Sequence, residues 1–348
     1  LRFARCRDTA QIPSSGKSVA IIGAGPAGLG AAGELICRGH KVVVYDMLPE
    51  PGGLLIFGIP EFRIPKDRIK VGIKELMDIG VEFKCGVKVG KDISLDKLIE
   101  SYDAVLIATG TWRANRLNIP GEDLPGVYDA LYYIINTHLI QYGYKPFNEA
   151  PDLYGKVAVI GGGLTAIDAC YIAFDRGAEE VTLLYRRTRE QAPAGVKEFN
   201  NLESELGVKI RELTQPLRFL GNGGHVTGIE VIKMKLGKPD ASGRPRPEPI
   251  PGSEEVIKID NVLVAAGLVA TPPLDADKCG IELTRWNTIK TDEKHRTSRE
   301  GVFAAGDVKH GASLIGPALK SGKDAAIYID EYLKSGKWLY DEKEVVNV

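Results

Sequence analysis

No Cys-x-x-Cys pair occurs anywhere in these 348 residues. The five cysteines, Cys6, Cys37, Cys85, Cys170 and Cys279, lie far apart. Clusters, structural zinc and redox dithiols all need thiolates brought together by close spacing, so this pattern argues against each of them in this chain alone, and no metal site is expected. Buried, reduced thiols in a reducing cytoplasm are the expectation. The five histidines are equally scattered and read as surface residues rather than ligands. Charge of one sign is also missing. Lys and Arg number 45 against 46 Asp and Glu, a net −1, which provides no basic face for nucleic acid. No apolar run approaches the ~18 residues that cross a bilayer. Residues 1–17 read as an arm, and its first residues are basic without the apolar segment of a signal peptide.

What the chain has is glycine, placed with a pattern. The apolar run Ser18-Val19-Ala20-Ile21-Ile22 enters Gly23-x-Gly25-x-x-Gly28, a helical segment follows, and Val42-Val43-Val44-Tyr45 leads to Asp46. Strand, glycine turn, helix, strand and a spaced acid form the fingerprint of a dinucleotide-binding βαβ unit. Gly23 permits the tight turn, Gly25 a close backbone approach to a pyrophosphate, and Gly28 close packing of helix on strand. Pro26 and Ala27 open the helix, whose unpaired N–H groups and positive dipole end suit phosphates. Asp46 stands where a carboxylate accepts the hydroxyls of an adenosine ribose.

Residues 49–66 contain too much Gly and Pro for a helix or central strand, yet carry Leu54, Leu55, Ile56, Phe57, Ile59, Phe62 and Ile64. An apolar segment with accessible backbone suits the edge of a flat aromatic ligand. Helical spacing is expected over 67–79, a strand over 81–89, a short helix over 94–100, and a buried strand from Tyr102 that ends at Ala108-Thr109-Gly110. The chain is expected to cross into a second domain near 120–126, beginning with a helix over 131–142.

There the opening pattern recurs. Val157-Ala158-Val159-Ile160 enters Gly161-Gly162-Gly163-Leu164-Thr165-Ala166, a helix runs to about Arg176, and Val181–Tyr185 is the next strand. Ala166 replaces the third glycine. The strand ends not in an acid but in Arg186-Arg187-Thr188-Arg189. An acid accepts from a free 2′-hydroxyl, whereas guanidinium groups suit a 2′-phosphate. Residues 203–267 read as largely β, with 237–252 as a long exposed hairpin loop. Val262–Gly267 parallels the strand at 105–110. The chain then returns to the first domain for Gly306-Asp307, a turn over 311–317 and a helix over 318–333, and its last dozen residues read as a tail.

Gly23 to Gly28, Ala108-Thr109-Gly110 and Gly306-Asp307, arranged around an inserted nucleotide unit, resemble the two-dinucleotide-binding flavoprotein family. More narrowly, PGGLLIFGIPEFRIPK (51–66), GGGLTAID (161–168), YRRTRE (185–190) and GKPDASGRPRP (237–247) are similar to the glutamate synthase small-subunit type, which also serves as the flavin subunit of electron-bifurcating ferredoxin:NADP oxidoreductases. Those relatives carry an N-terminal iron–sulfur domain, whereas 17 residues precede Ser18 here, so the chain is expected to lack it. Leu164 stands for the usual Asn, Gln191 for Met, and Asp46 where Glu is common.

The resemblance implies an α/β fold of two Rossmann-like, glutathione-reductase-like domains. An NAD(P)H domain (120–271) would be inserted into an FAD domain (18–119 and 272–348). It implies FAD on Gly23, Gly25, Pro26, Ala27, Gly28 and Asp46, with Val89 at the adenine and Gly53, Leu54 and Arg63 along the pyrophosphate and flavin. Ala108, Thr109, Gly110, Gly306, Asp307, Ser313, Leu314 and Ile315 would complete that site. NADPH, with NADH as the alternative, would take Gly162, Gly163, Leu164, Thr165, Arg186, Arg187 and Gly267. No side-chain catalytic residue is needed, because flavin and nicotinamide carry the chemistry. The expected activity is hydride transfer from NADPH to FAD. A partner subunit bearing clusters or a second flavin would receive or supply the electrons, with no nucleic-acid partner and no membrane span. Competing readings are a flavin-bearing relay subunit without direct NADPH use and a stand-alone diaphorase. Iron and acid-labile sulfide are expected to be absent from the isolated chain. Stoichiometric iron, without a partner supplying ligands, would overturn the cysteine argument.

Overall fold

Residues 19–22 are all buried, as a run apolar on every side must be when helices cover both faces of a parallel sheet. The computed structural model describes residues 2–146, 150–240 and 243–340. Most of the expected tail, from residue 341 on, lies outside them. In chain order the elements begin with β1 (Ser18–Ile22), α1 (Pro26–Ile36), β2 (Lys41–Asp46), α2 (Leu54–Phe57), α3 (Lys66–Asp78), β3 (Glu82–Cys85), α4 (Leu95–Ser101), β4 (Ala104–Ile107) and β5 (Thr111–Ala114). Next come β6 (Val127–Asp129), α5 (Ala130–Gln141), β7 (Lys156–Ile160), α6 (Leu164–Asp175), β8 (Glu180–Leu184), α7 (Val196–Leu206) and β9 (Lys209–Arg211). The antiparallel strands β10 (Thr214–Asn222), β11 (His225–Pro239), β12 (Pro245–Pro249) and β13 (Glu255–Lys258) precede β14 (Asn261–Val264). The chain closes with β15 (Leu268–Ala270), β16 (Val302–Ala304), α8 (Asp307–His310) and α9 (Ile315–Ser335).

Two compact units result: Leu1–Arg113 with Leu268–Val348, and Ala114–Gly267. The divisions fall a few residues before the expected crossings at 119/120 and 271/272, at the paired strands β5 and β15. The first unit holds a parallel sheet ordered β16-β4-β1-β2-β3, and the second a parallel sheet ordered β6-β14-β7-β8-β9. In each, the strand before the glycine turn is central and the next strand lies beside it. The second unit adds the antiparallel strands, in which β11 pairs with β10, β12 and β13.

Some expectations need correction. Residues 54–57 form a helical turn because Gly53, at φ +53°, admits the chain to it. The strand expected over 81–89 is confined to Glu82–Cys85, since Gly86, at φ +72°, turns the chain and donates to Leu48. His40, His138 and His295 are buried rather than on the surface. His40 is held there by the Asp330 carboxylate, 2.9 Å from its Nε2. Burial, with Lys309 nearby, pushes His295 down to about 3. The cysteines are not all reduced: Cys6 and Cys37 form a disulfide with Cα atoms 5.7 Å apart, while Cys85, Cys170 and Cys279 are free thiols. A separation of 31 residues gave no hint of this, because it depends on the arm folding back along α1. There Phe3 is buried and its carbonyl lies against Gly33. Thiol content therefore no longer argues for a reducing compartment.

The pairing of α1 with α9 places the first unit's functional end. Asp330 on α9 is buried and accepts from Arg38 at 2.7 Å and Lys334 at 2.9 Å as well as facing His40. Burial alone would raise its pKa, but the hydrogen bonds from Lys334, His40 and Arg38 prevail and hold it below the usual carboxylate range. At the other end the helices touch through backbone. A Cβ on Gly322 would stand 1.9 Å from the Ala27 carbonyl oxygen. Backbone cannot yield as a flexible side chain does, so Gly322→Ala is expected to cost about 1–3 kcal/mol, the usual range for overpacking. Gly316→Ala, on the same helix with no atom within 4 Å, is the control. Thermal unfolding followed by circular dichroism should show a lower midpoint for the first variant only; equal midpoints would contradict this account of the helix contact.

Candidate functional site

The first glycine turn is built from three chain segments. Gly23 takes φ +108°, and a Cβ there would stand 2.4 Å from the Ala108 carbonyl oxygen, so the turn packs directly on the end of β4. A Cβ on Gly28 would meet the Gly23 carbonyl oxygen at 1.8 Å. Gly25, by contrast, has no atom within 4 Å of a Cβ position. It caps α1 without any side-chain hydrogen bond, unlike Ser94 and Asp129, whose side chains cap α4 and α5. No side chain caps the first N–H groups of α1, and Pro26 stands at the first position, where no N–H is lost. Ala27 and Gly28 are buried behind it.

Gly52 donates to the Ala24 carbonyl at 2.9 Å, and Gly53 lies so close to the turn that its Cβ would stand 2.9 Å from the Gly25 Cα. Leu54 then starts α2, half-buried at the edge of the site. Arg63 lies farther along that segment with its guanidinium 5.4 Å from the centre of the exposed Phe62 ring. The segment is clamped by Lys66, which sequence reasoning missed. Its buried ammonium donates to the Leu55 carbonyl at 2.8 Å and to that of Ile59. A lysine after a proline carries no signal of this; only the folded loop brings those carbonyls to it.

Asp46 is buried at the end of β2. Its Oδ2 accepts from the Ala24 N–H at 2.6 Å and its Oδ1 from the Leu48 N–H at 2.8 Å. Burial raises its pKa to about 6 against the lowering effect of those two bonds. Val89 is a buried core residue, bridged to Ile93. At β4's end, Thr109 Oγ1 donates to Thr271 at 2.7 Å and Gly110 takes φ +73°. Gly306 packs against Ala27 and is held by Ser321 Oγ at 2.9 Å, another contact that sequence reasoning missed. Asp307, raised by burial, accepts from Ser313 Oγ at 2.6 Å. Ser313 and Leu314 are exposed at the start of α9, where Leu314 provides no side-chain cap and Ile315 is half-buried.

The second turn repeats the first. Gly161 takes φ +147° against the Ala265 carbonyl, and the Tyr185 ring covers Gly162. Gly163 opens α6 uncapped with nothing within 4 Å of a Cβ position. Leu164 is exposed and Thr165 half-buried beside it, while Gly267 lies exposed at φ +98° past β14. The arginines after β8 differ from one another. Arg189 is tied to Glu203 at 2.7 Å and to Glu212. Arg187 is buried, with Nη2 on Asp240 and Nε on the Pro245 carbonyl, each at 2.8 Å. Arg186 is exposed and makes no hydrogen bond or ion pair among the described residues. Both glycine turns thus fit a phosphate-bearing ligand. Each opens its helix without a side-chain cap, one on a strand followed by a carboxylate and the other on a strand followed by an exposed guanidinium.

A family model for pyridine nucleotide-disulphide oxidoreductases matches residues 17–322. The glutamate synthase [NADPH] small chain of Halomonas elongata is 40% identical over 332 residues, covering 94% of this chain and 70% of the relative. The NADP(+)-dependent formate dehydrogenase subunit beta of Moorella thermoacetica is 41% identical over 327 residues, covering 93% of this chain; the chain spans 45% of that relative's length. Among solved structures, Mycobacterium tuberculosis FprA in complex with NADPH superposes with a TM-score of 0.75 at 23% identity, covering 92% of this chain and 85% of FprA, which supports the fold. Among the described residues no helix is long and apolar enough to cross a membrane. The chain belongs to the pyridine nucleotide-disulphide oxidoreductase family and, within it, to the glutamate synthase small-chain type of NAD(P)H-dependent flavoprotein oxidoreductase.

Proposed function

We propose that the first unit holds FAD, the second holds NADPH, and the chain is a redox subunit that exchanges electrons with a partner subunit. The observation that carries this reading is the chemically asymmetric repeat: two open glycine turns on sheets of matching strand order, one closed by Asp46 and the other by the exposed Arg186. When bound, NADPH and FAD supply the hydride and electron chemistry. The chain's own part is binding, orientation and charge. The N-terminus of α1 offers N–H groups and a positive dipole end to the FAD pyrophosphate. Asp46 takes the adenosine ribose, Gly53 and Leu54 line the approach to the flavin with Lys66 fixing their segment, and Asp307 and the start of α9 complete the site. Gly162, Gly163, Leu164 and Thr165 take the nicotinamide dinucleotide phosphates, Gly267 borders them, and Arg186 takes the 2′-phosphate. A partner is supported by the relatives' names, which describe a small chain and a subunit beta. Iron–sulfur clusters or a second flavin in that partner would accept single electrons from a two-electron carrier.

Asp46→Ala is expected to lower FAD occupancy of the purified protein, with full yellow colour the contrary result. The pH dependence has a definite sign. Because the folded pKa is raised to about 6, the neutral acid favours the ligand-free fold, and that stabilisation is lost as pH rises through about 6. Accepting two ribose hydroxyls needs the carboxylate, so FAD affinity of the apoprotein should fall several-fold below about pH 6. Asp46→Asn should flatten that profile in a flavin-fluorescence titration; an unchanged profile rejects the ribose assignment.

Anaerobic NADPH is expected to bleach the flavin band of the purified protein, with NADH markedly weaker. A charge-assisted contact is worth about 1.5–3 kcal/mol, and tenfold in affinity about 1.4 kcal/mol. Arg186→Ala should therefore cost one to two decades in NADPH affinity, leave NADH unaffected, and matter less as salt rises. Equal use of both nucleotides by the wild type would remove the 2′-phosphate reading.

A further inference from the structure

The segment after β8 folds back on the glycine turn that precedes α6. Residues 188–195 leave the end of β8 just past Arg186 and reach Gly162 before α7 begins. Three contacts close this strap. At its start, Gln191 Oε1 accepts from the Thr188 N–H at 3.2 Å and from Thr188 Oγ1 at 2.5 Å. In its middle, the Gln191 carbonyl accepts from the Tyr185 hydroxyl at 3.2 Å. At its end, the Ala194 N–H donates to the Gly162 carbonyl at 3.1 Å, and Gly195, at φ +87°, turns the chain into α7. Tyr185 serves both sides of the closure. It is buried, and its ring lies where a Cβ on Gly162 would stand, 2.3 Å from the nearest ring carbon.

The Ala194 contact bears on the ligand end of the unit because a peptide is planar and trans. The Gly162 carbonyl and the Gly163 N–H belong to one such plane and point in opposite directions. A carbonyl held on Ala194 therefore aims the Gly163 N–H away from the strap. Glycine backbone turns more freely than any other, and three successive glycines carry no side chain to fix this peptide. The Tyr185 ring and the Ala194 bond hold it instead. Gly163 is also the residue that opens α6, the helix end whose N–H groups and dipole suit a phosphate.

We infer that residues 188–195 orient the Gly162–Gly163 peptide for the NADPH pyrophosphate, and that Gln191 is the positioning residue that keeps the strap closed, acting through Ala194. This rests on the NADPH reading of the second unit. The coupling is reciprocal: if a closed strap favours the ligand, the ligand must favour the closed strap by the same factor.

The test uses the FAD-loaded full chain, isothermal titration with two fragments, and hydrogen exchange at the Ala194 amide. ADP-ribose carries the pyrophosphate without a 2′-phosphate; 2′,5′-ADP carries the 2′-phosphate without a pyrophosphate. Gln191→Met keeps the length of the side chain and removes its acceptor. It is expected to weaken ADP-ribose about three- to tenfold, the effect of one lost neutral hydrogen bond, and 2′,5′-ADP much less. Tyr185→Phe keeps the ring over Gly162, loses only the bond to the Gln191 carbonyl, and should give a smaller loss in the same direction. Thr188→Ser retains both groups that Gln191 holds and should bind like the wild type. In the wild type, ADP-ribose should slow exchange at Ala194, a measurement that stands even if Gln191→Met folds poorly. Unchanged ADP-ribose affinity in Gln191→Met, or equal losses of both fragments, would assign the strap a purely structural role and overturn the inference. Exchange at Ala194 that ignores ADP-ribose in the wild type does the same. Arg186→Ala keeps the two claims apart, since it should weaken 2′,5′-ADP and spare ADP-ribose whatever the strap does. If the wild type binds neither fragment, the NADPH reading fails and this inference with it.

Discussion

An α-helix cannot satisfy its first N–H groups from within. At α1 and α6 this fold leaves them without side-chain caps, beside bare glycine backbone. Everything else in each unit serves that arrangement. Gly23 and Gly28 let α1 start hard against β1 and β4; a Cβ at either would collide with a carbonyl oxygen. Gly25 and Gly163, with open space where a Cβ would be, leave the approach clear. The helix dipole then makes the gap attractive to phosphate without any charged side chain.

Holding helices that close to backbone requires support from a distance. In the first unit, α9 lies on α1 through Gly322, Gly306 before α8 packs on Ala27 beside it, and the buried Asp330 gathers Arg38, His40 and Lys334 at the far end. The Cys6–Cys37 disulfide ties the arm to the end of α1, about 16 Å along the helix from the glycine turn at 1.5 Å per residue. That placement sets it apart from the nucleotide end of the unit. The loop after β2 is fixed by a buried ammonium on two carbonyls, a strong arrangement because a charged donor roughly doubles the strength of each bond.

The two βαβ units share a scaffold but differ in the charge at their strand ends. At the end of β2 a buried carboxylate already accepts from the turn's Ala24 N–H and from the Leu48 N–H, and is balanced between charged and neutral forms near pH 6. At the end of β8 the equivalent region is cationic, and part of that charge is spent on holding a hairpin. The same βαβ scaffold thus carries opposite charges at its strand ends in the two units, Asp46 in one and Arg186 in the other.

The sequence by itself determined the two βαβ units, because glycine spacing and continuous apolar strands report local geometry that no distant residue can replace. It also determined that one strand ends in acid and the other in arginine. Tertiary structure alone decided what those end residues do. Arg186 and Arg187 are neighbours of the same chemistry, yet one is exposed and the other is buried on Asp240, 53 positions away. Lys66, Gly322 and the Cys6–Cys37 pair were unreadable for the same reason: their partners are carbonyls, helices and an arm whose proximity exists only after folding. The buried His40 belongs with them, since nothing local distinguishes a histidine beside a glycine turn from one that a carboxylate 290 residues away draws into the core.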